Sequence, residues 1–309
     1  MDDVEFQLNL DKYSKSKPDD LIISDLKWKY LIRTILRAKN LLIVGASGTA
    51  KTTSARCAAA VMGRPFEKFN MGSTSDARAT LIGNTTYNKE TGTVFHRASF
   101  IKAITTPNKI ILLDELTRGS HDAWNILFPA IDPIQRCIRL DEDENSEVVD
   151  VAEGVCFLAT ANIGGEYTST RVLDKAISRR FPIKLEMSFL KGKELEYLFG
   201  VRFKTRTSAE IKAMKILASI SDDLLSQCKI EDAKISFPIS PANMMEMAEL
   251  VMDGFTIEEI AEAAIYTEYP DDGGADSERA FCRSIIQKYF PKNVKSPIND
   301  PLSAKTVPF

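Results

Sequence analysis

Apolar residues follow two rhythms along this chain of 309 residues, and the rhythm changes near residue 190. Before that point short unbroken apolar runs, such as Leu41 to Val44, Ile110 to Leu113 and Val155 to Ala159, alternate with stretches of helical length. Runs without polar alternation suit strands covered on both faces, and strands separated by helices make a mostly parallel sheet. The pattern predicts strands at 41–45, 66–71, 110–114, 155–161 and 182–187, with helices at 51–62, 99–105, 119–130 and 171–180. Ser24 and Asp25 can cap a further helix, with Leu26, Tyr30, Leu31, Ile35 and Leu36 turned toward the sheet. Two hairpins interrupt the alternation, one spanning 81–96 around a loop that contains Gly92, the other spanning 137–150 around the acidic run Asp141 to Glu144. The consecutive spacing of those acids marks a solvated turn rather than an ion-binding loop.

Beyond residue 190 the strand signal fades. Ile211, Met214, Ile216, Leu217 and Ile220 share one broad helical face. Ser240 and Pro241 start a second helix with Met244, Met247, Ala248 and Val251 on its inner side, and Thr256 caps a third before Ile260, Ala261 and Ala264. The expected organisation is therefore a flexible polar arm at 1–24, an α/β core at 25–189, a helical unit at 190–291 and a loose Pro-punctuated tail at 292–309.

The first candidate chemistry lies where the strand at 41–45 ends. Gly45, Ser47, Gly48, Thr49, Ala50, Lys51 and Thr52 form a phosphate-loop pattern, G-x-x-x-x-G-K-[ST], with Ala50 in place of the second glycine. Such a loop offers backbone N–H groups at a helix N-terminus, a lysine for the terminal phosphates and a hydroxyl ligand for Mg²⁺. The strand at 110–114 ends in Asp114 and Glu115, carboxylates at the strand end where open α/β sheets bind ligands. Asp114 is expected to hold Mg²⁺ through its water shell and Glu115 to polarise an attacking water.

A third strand ends in Thr160 and Asn162, and the next helical stretch closes on Arg179, Arg180 and Phe181. This order of phosphate loop, acidic strand, Asn-ended strand and Arg-Arg-Phe resembles the AAA+ ATPases. Within that superfamily it resembles the MoxR and dynein-related branch, which includes the ATPase subunit of aerobic cobalt chelatase and the gas-vesicle ATPase. Asp114 to Arg118 look like the branch's Asp-Glu-x-x-Arg block, and Asn162 with Gly164 and Gly165 looks like its sensor 1 segment. The resemblance implies a P-loop core with a helical lid, ATP and Mg²⁺ as cofactors, and a homo-oligomeric ring, six subunits being the family expectation. It makes Glu115, Asn162 and Arg180 the catalytic residues, Arg180 acting in the neighbouring subunit's site, with Arg179 and Arg118 as the other candidates for that trans-acting role. It also suggests a protein partner, often a von Willebrand A-type or chelatase subunit, and metal insertion into a tetrapyrrole if the chelatase likeness is the closer one. Ala242 and Asn243 stand where relatives commonly carry a sensor 2 arginine.

Composition narrows the alternatives. A formal net charge of −3 and a pI near 5.7, with no basic stripe interleaved with aromatics, count against a nucleic-acid motor. An ATP-binding scaffold with weak hydrolysis remains a competing reading because of Ala50 and the missing arginine. Five scattered cysteines without Cys-x-x-Cys spacing suggest neither a disulfide framework nor a zinc site, and His96 and His121 read as local structural residues. With no apolar leader or membrane-length apolar run, the expected compartment is the cytoplasm and no membrane partner is expected.

Overall fold

The computed structural model describes residues 2–73, 76–88, 92–141, 146–162, 175–230 and 233–290. The chain divides between Phe189 and Leu190 into two compact units, each with its own core.

The first unit is built on five parallel strands: β1 (Leu41–Val44), β2 (Phe66–Asn70), β5 (Ile110–Asp114), β8 (Cys156–Ala161) and β9 (Ile183–Glu186), in the spatial order β2-β5-β8-β1-β9. Two short hairpins stand apart from this sheet, β3 (Gly83–Asn88) with β4 (Gly92–Arg97) and β6 (Cys137–Arg139) with β7 (Val148–Asp150). The central strands β5, β8 and β1 are buried almost throughout, which is why they read as unbroken apolar runs.

Side chains alternate across the sheet and feed two cores. Leu42, Val44, Ile111, Leu113, Phe157 and Ala159 point to one face, covered by α4 (Ala77–Leu81), α5 (Ser99–Ile104), α6 (His121–Ile131) and α7 (Lys175–Arg180). Leu41, Ile43, Ile110, Leu112 and Leu158 point to the other, beneath α1 (Asp3–Ser14), α2 (Asp25–Leu36) and α3 (Lys51–Met62). Asn40, buried just before β1, donates from Nδ2 to the carbonyls of Ile131 and Arg180, at 2.6 and 3.0 Å. It thereby joins the ends of α6 and α7 to the root of the strand that carries the phosphate loop.

Three expectations need correction. Residues 3–14 are not a flexible arm: Asp2 caps α1, Phe6 and Leu10 are buried in the core that α2 helps to form, and the Trp28 indole N–H donates to the carbonyl of Tyr13. A polar average hid two apolar residues at i and i+4, which suffice for a narrow docking stripe. On α2 the buried face is Trp28, Leu31, Ile32 and Ile35, while Leu26 and Tyr30 are exposed at 62% and 43%. The i, i+3, i+4, i+7 series starting at Trp28 is the true inner stripe. Finally, Leu81 closes α4 rather than opening the first hairpin, and of the expected helix at 171–180 only Lys175–Arg180 lies within the described residues.

The second unit is helical in its described part: α8 (Gly192–Arg202), α9 (Ser208–Gln227), α10 (Pro241–Met252), α11 (Ile257–Ile260) and α12 (Glu278–Ile286). Met214, Met244 and Met247 sit in its core beside Phe199, Leu217, Ile265 and Tyr269. Ser240 and Thr256 each accept a backbone N–H at the helix starts expected from sequence, and Thr207 caps α9 in the same way. Asn243 is engaged inside this unit, by Ser240 and by Glu268 at 2.9 Å.

Candidate active site

The phosphate loop takes its shape from three backbone positions. Gly45 has φ +153° and lies so close to Met187, the residue that follows β9, that a Cβ there would stand 2.5 Å from the Met187 carbonyl oxygen. Gly48 turns through φ +76°, and Ala50 enters α3 from the left-handed region at φ +60°. Glycine occupies that region without a steric penalty and alanine does not, so Ala50 carries local strain at the helix N-terminus. Thr49 stabilises the turn by donating to the carbonyl of Ala46 at 2.8 Å.

Lys51 is buried, and its ammonium donates to the carbonyls of Gly45 and Ala46 at 3.0 and 2.5 Å. Burial pulls its pKa down to about 8, against the opposing pull of Asp114 and, more weakly, Glu115. A buried ammonium whose hydrogen bonds among the described residues go to neutral carbonyls gains strongly from an anion, so the loop favours a polyphosphate.

Asp114, at the end of β5, is the hub. Its Oδ1 accepts from the hydroxyls of Thr52 at 2.9 Å and Thr160 at 2.5 Å, and its Oδ2 faces the Lys68 ammonium at 3.4 Å. Thr160 also accepts the backbone N–H of Glu115 at 2.9 Å. Strand pairing explains the convergence, since β5 and β1 both flank β8 and all three end at the same edge. Asn162, 9% exposed, follows directly at the end of β8. A hydroxyl and a carboxylate already in contact beside a phosphate loop fit a hydrated Mg²⁺, Thr52 as direct ligand and Asp114 through its water shell.

Glu115 adopts φ +54°, and its Oε2 pairs with Arg118 at 3.1 Å. A Cβ on Gly72 would come within 3.0 Å of that oxygen, so Gly72 makes room for the glutamate. Arg118 therefore contacts the glutamate of its own chain.

The two terminal arginines of α7 differ. Arg180 is anchored at home: its guanidinium pairs with Asp132 at 3.3 Å, donates to the carbonyl of Ala176 and stacks 4.6 Å over Phe128. Asp132 is held below the usual carboxylate range mainly by the backbone N–H groups of Ile134 and Gln135 and secondarily by Arg180. Arg179 is exposed, and among the described residues no ion pair involves it.

Two participants were missed from sequence. Thr160 had a signal, a hydroxyl within an otherwise apolar buried strand. Lys68 had none, because lysine on a half-exposed edge strand is ordinary.

Residues 40–181 match the family model of the AAA domain, dynein-related subfamily. That span holds the phosphate loop, Lys68, the acidic pair, Asn162 and all three candidate arginines. The likeness extends beyond residues 40–181: the candidate chaperone BssE of Thauera aromatica is 29% identical over 232 residues, 74% of this chain and 75% of that protein. Among solved structures, a RuvB mutant of Thermotoga maritima aligns with a TM-score of 0.51 at 17% identity, covering 88% of this chain and 80% of its own. Hsp104, determined with ATPγS and casein, aligns with a TM-score of 0.54 at 14% identity over 87% of this chain and 50% of its own. At such identities these structures speak for the fold, a parallel-sheet AAA+ core with helices.

Proposed function

We propose that this chain is a Mg²⁺-dependent ATPase that works as a ring of like subunits and uses ATP hydrolysis to remodel a protein partner. The carrying observation is the convergence of Lys51, Thr52 and Thr160 on Asp114, with Glu115 beside it and Asn162 at the end of β8, where three adjacent parallel strands end. In this reading the loop N–H groups and Lys51 bind the β- and γ-phosphates. Thr52 and Asp114 hold Mg²⁺, which supplies charge neutralisation at the phosphates when bound. Glu115 orients and deprotonates the attacking water, and Asn162 aligns that water against the γ-phosphate.

The ring follows from a site that needs an arginine from outside. With Arg180 committed to Asp132 and Phe128, Arg179, which makes no ion pair among the described residues, is the arm that can extend to a neighbour. The acidic balance of the chain and its likeness to a candidate chaperone favour a protein partner over nucleic acid. Within that reading the MoxR and chelatase resemblance points to a von Willebrand A-type or chelatase-subunit partner, and hydrolysis would then serve metal insertion into a tetrapyrrole.

Nucleotide binding and phosphate release test the assignment together. Lys51→Ala should abolish binding, while Glu115→Gln should bind ATP nearly as the unaltered chain does and lose at least ~100-fold in turnover, the usual scale for removing a general base. Unchanged turnover in Glu115→Gln would remove Glu115 from the chemistry. Near-zero turnover in the unaltered chain, with ATP bound, would instead support the scaffold reading.

A further inference from the structure

The carboxylate on the metal side of the site already has a cation beside it. Lys68 lies on β2, two residues before its end, in register with Leu112, while Asn70 is in register with Asp114. Two strand residues rise about 6.6 Å, roughly the reach of an extended lysine side chain, so Lys68 can bring its ammonium level with Asp114. It does so, at 3.4 Å from Oδ2, on the oxygen that Thr52 and Thr160 leave open. The two partners are differently exposed: Asp114 retains 13% of its side-chain surface and Lys68 41%. The carboxylate is fixed, and the ammonium is wet and able to swing.

We propose that Lys68 is a resident counter-ion of Asp114 that strengthens metal-free nucleotide binding and weakens the hold on Mg²⁺. This rests on the nucleotide-site reading given above. Without a divalent ion, Lys68 and Lys51 are, among the described residues, cations next to Asp114, and both add positive potential where phosphates arrive. With the ion seated at Thr52 and Asp114, the same ammonium is a like charge a few ångströms away. One side chain thus acts with opposite signs on the two ligands. A lysine serving only as a surface ion pair would leave both affinities alone, and a lysine serving only the fold would move both the same way.

The experiment uses the full chain with 2′/3′-N-methylanthraniloyl-ADP as the fluorescent probe, comparing unaltered protein with Lys68→Met and Lys68→Arg. One titration is done in EDTA, and a second follows the Mg²⁺ dependence at fixed nucleotide. Lys68→Met should bind the probe roughly three- to tenfold more weakly in EDTA and reach its Mg²⁺ midpoint at a roughly three- to tenfold lower concentration, the scale of one half-exposed charge. Lys68→Arg should track the unaltered chain in both. Unchanged values in Lys68→Met, or losses of the same sign in both titrations, would overturn the role of Lys68. Failure of the unaltered chain to bind the probe at saturating Mg²⁺ would overturn the nucleotide site itself and this inference with it.

Discussion

At the scale of residues, two non-glycine positions of the site hold left-handed backbone, Ala50 at φ +60° and Glu115 at φ +54°. Strain of this kind persists where the surroundings over-determine it, and the two cases can be told apart by substitution. At Ala50 the conformation is what a glycine would adopt freely, so Ala50→Gly should stabilise the chain by ~0.5–1 kcal/mol in urea unfolding, net of the extra freedom glycine gains when unfolded. ATP affinity should hold or rise; a large loss would show that the alanine methyl is built into the loop. Lys51 makes a second residue-scale prediction. Its pKa of about 8 in the empty chain lies below its ordinary value of 10.5, so near pH 8 about half the empty sites hold a neutral lysine. A bound polyphosphate favours the ammonium, so binding should take up as much as roughly half a proton at pH 8 and almost none at pH 6.5. Calorimetric titration in two buffers of different ionisation enthalpy measures this directly, and equal apparent enthalpies at pH 8 would contradict it.

At the scale of elements, the strands that carry the site were legible because they are buried on both faces and therefore unbroken in sequence. The phosphate loop, the acidic pair and the Asn-ended strand could each be placed to within a residue or two. What escaped were features whose cause is pairing between distant elements. The register of β2 against β5 brings Lys68 to Asp114, and that of β5 against β8 brings Thr160 to the Glu115 amide. Nothing local in the sequence encodes a register. The docking of α1 escaped for a related reason, since Phe6 and Leu10 acquire meaning only against Trp28 and the helix it belongs to. Phe6→Ala should then destabilise the first unit by about 3–5 kcal/mol, the cost of removing a buried aromatic, whereas a flexible arm would tolerate it. Gly45→Ala is the harsher change at this scale. Its methyl would meet the Met187 carbonyl at 2.5 Å, so β1 and β9 would have to part, and thermal unfolding should show a loss larger than that of any surface substitution.

At the scale of the whole molecule, the proposed ring makes its arginines testable one at a time. Arg179→Ala should bind ATP nearly normally and lose hydrolysis by a large factor, because a trans-acting arginine stabilises charge that develops only in the transition state and is worth ~10³ to 10⁵ in well-studied GTPases. Mixing Arg179→Ala with Lys51→Ala subunits should restore part of the activity, since mixed rings contain interfaces where an intact Lys51 site meets an intact Arg179. Arg180→Ala should behave differently, losing stability along with activity as Asp132 and Phe128 lose their partner. If only the Arg180 variant complements in mixed assemblies, Arg180 leaves its pocket during the cycle and the assignment moves to it.

The buried amide of Asn40 gives that geometry a mechanical meaning. Its single Nδ2 group holds the carbonyl of Arg180 and that of Ile131 while its backbone opens β1. In the proposed ring, a tug on the last turn of α7 by an adjoining subunit would be felt a few residues upstream of Gly45, as a load on the base of the strand that leads into the phosphate loop. Asn40 would then act as a rivet through which occupancy in one subunit is communicated as tension to the next. Drilling it out with Asn40→Ala leaves two inward carbonyls unanswered at a cost of about 1–3 kcal/mol. The subunits should then fire independently, their ATP dependence flattening toward a Hill coefficient of one.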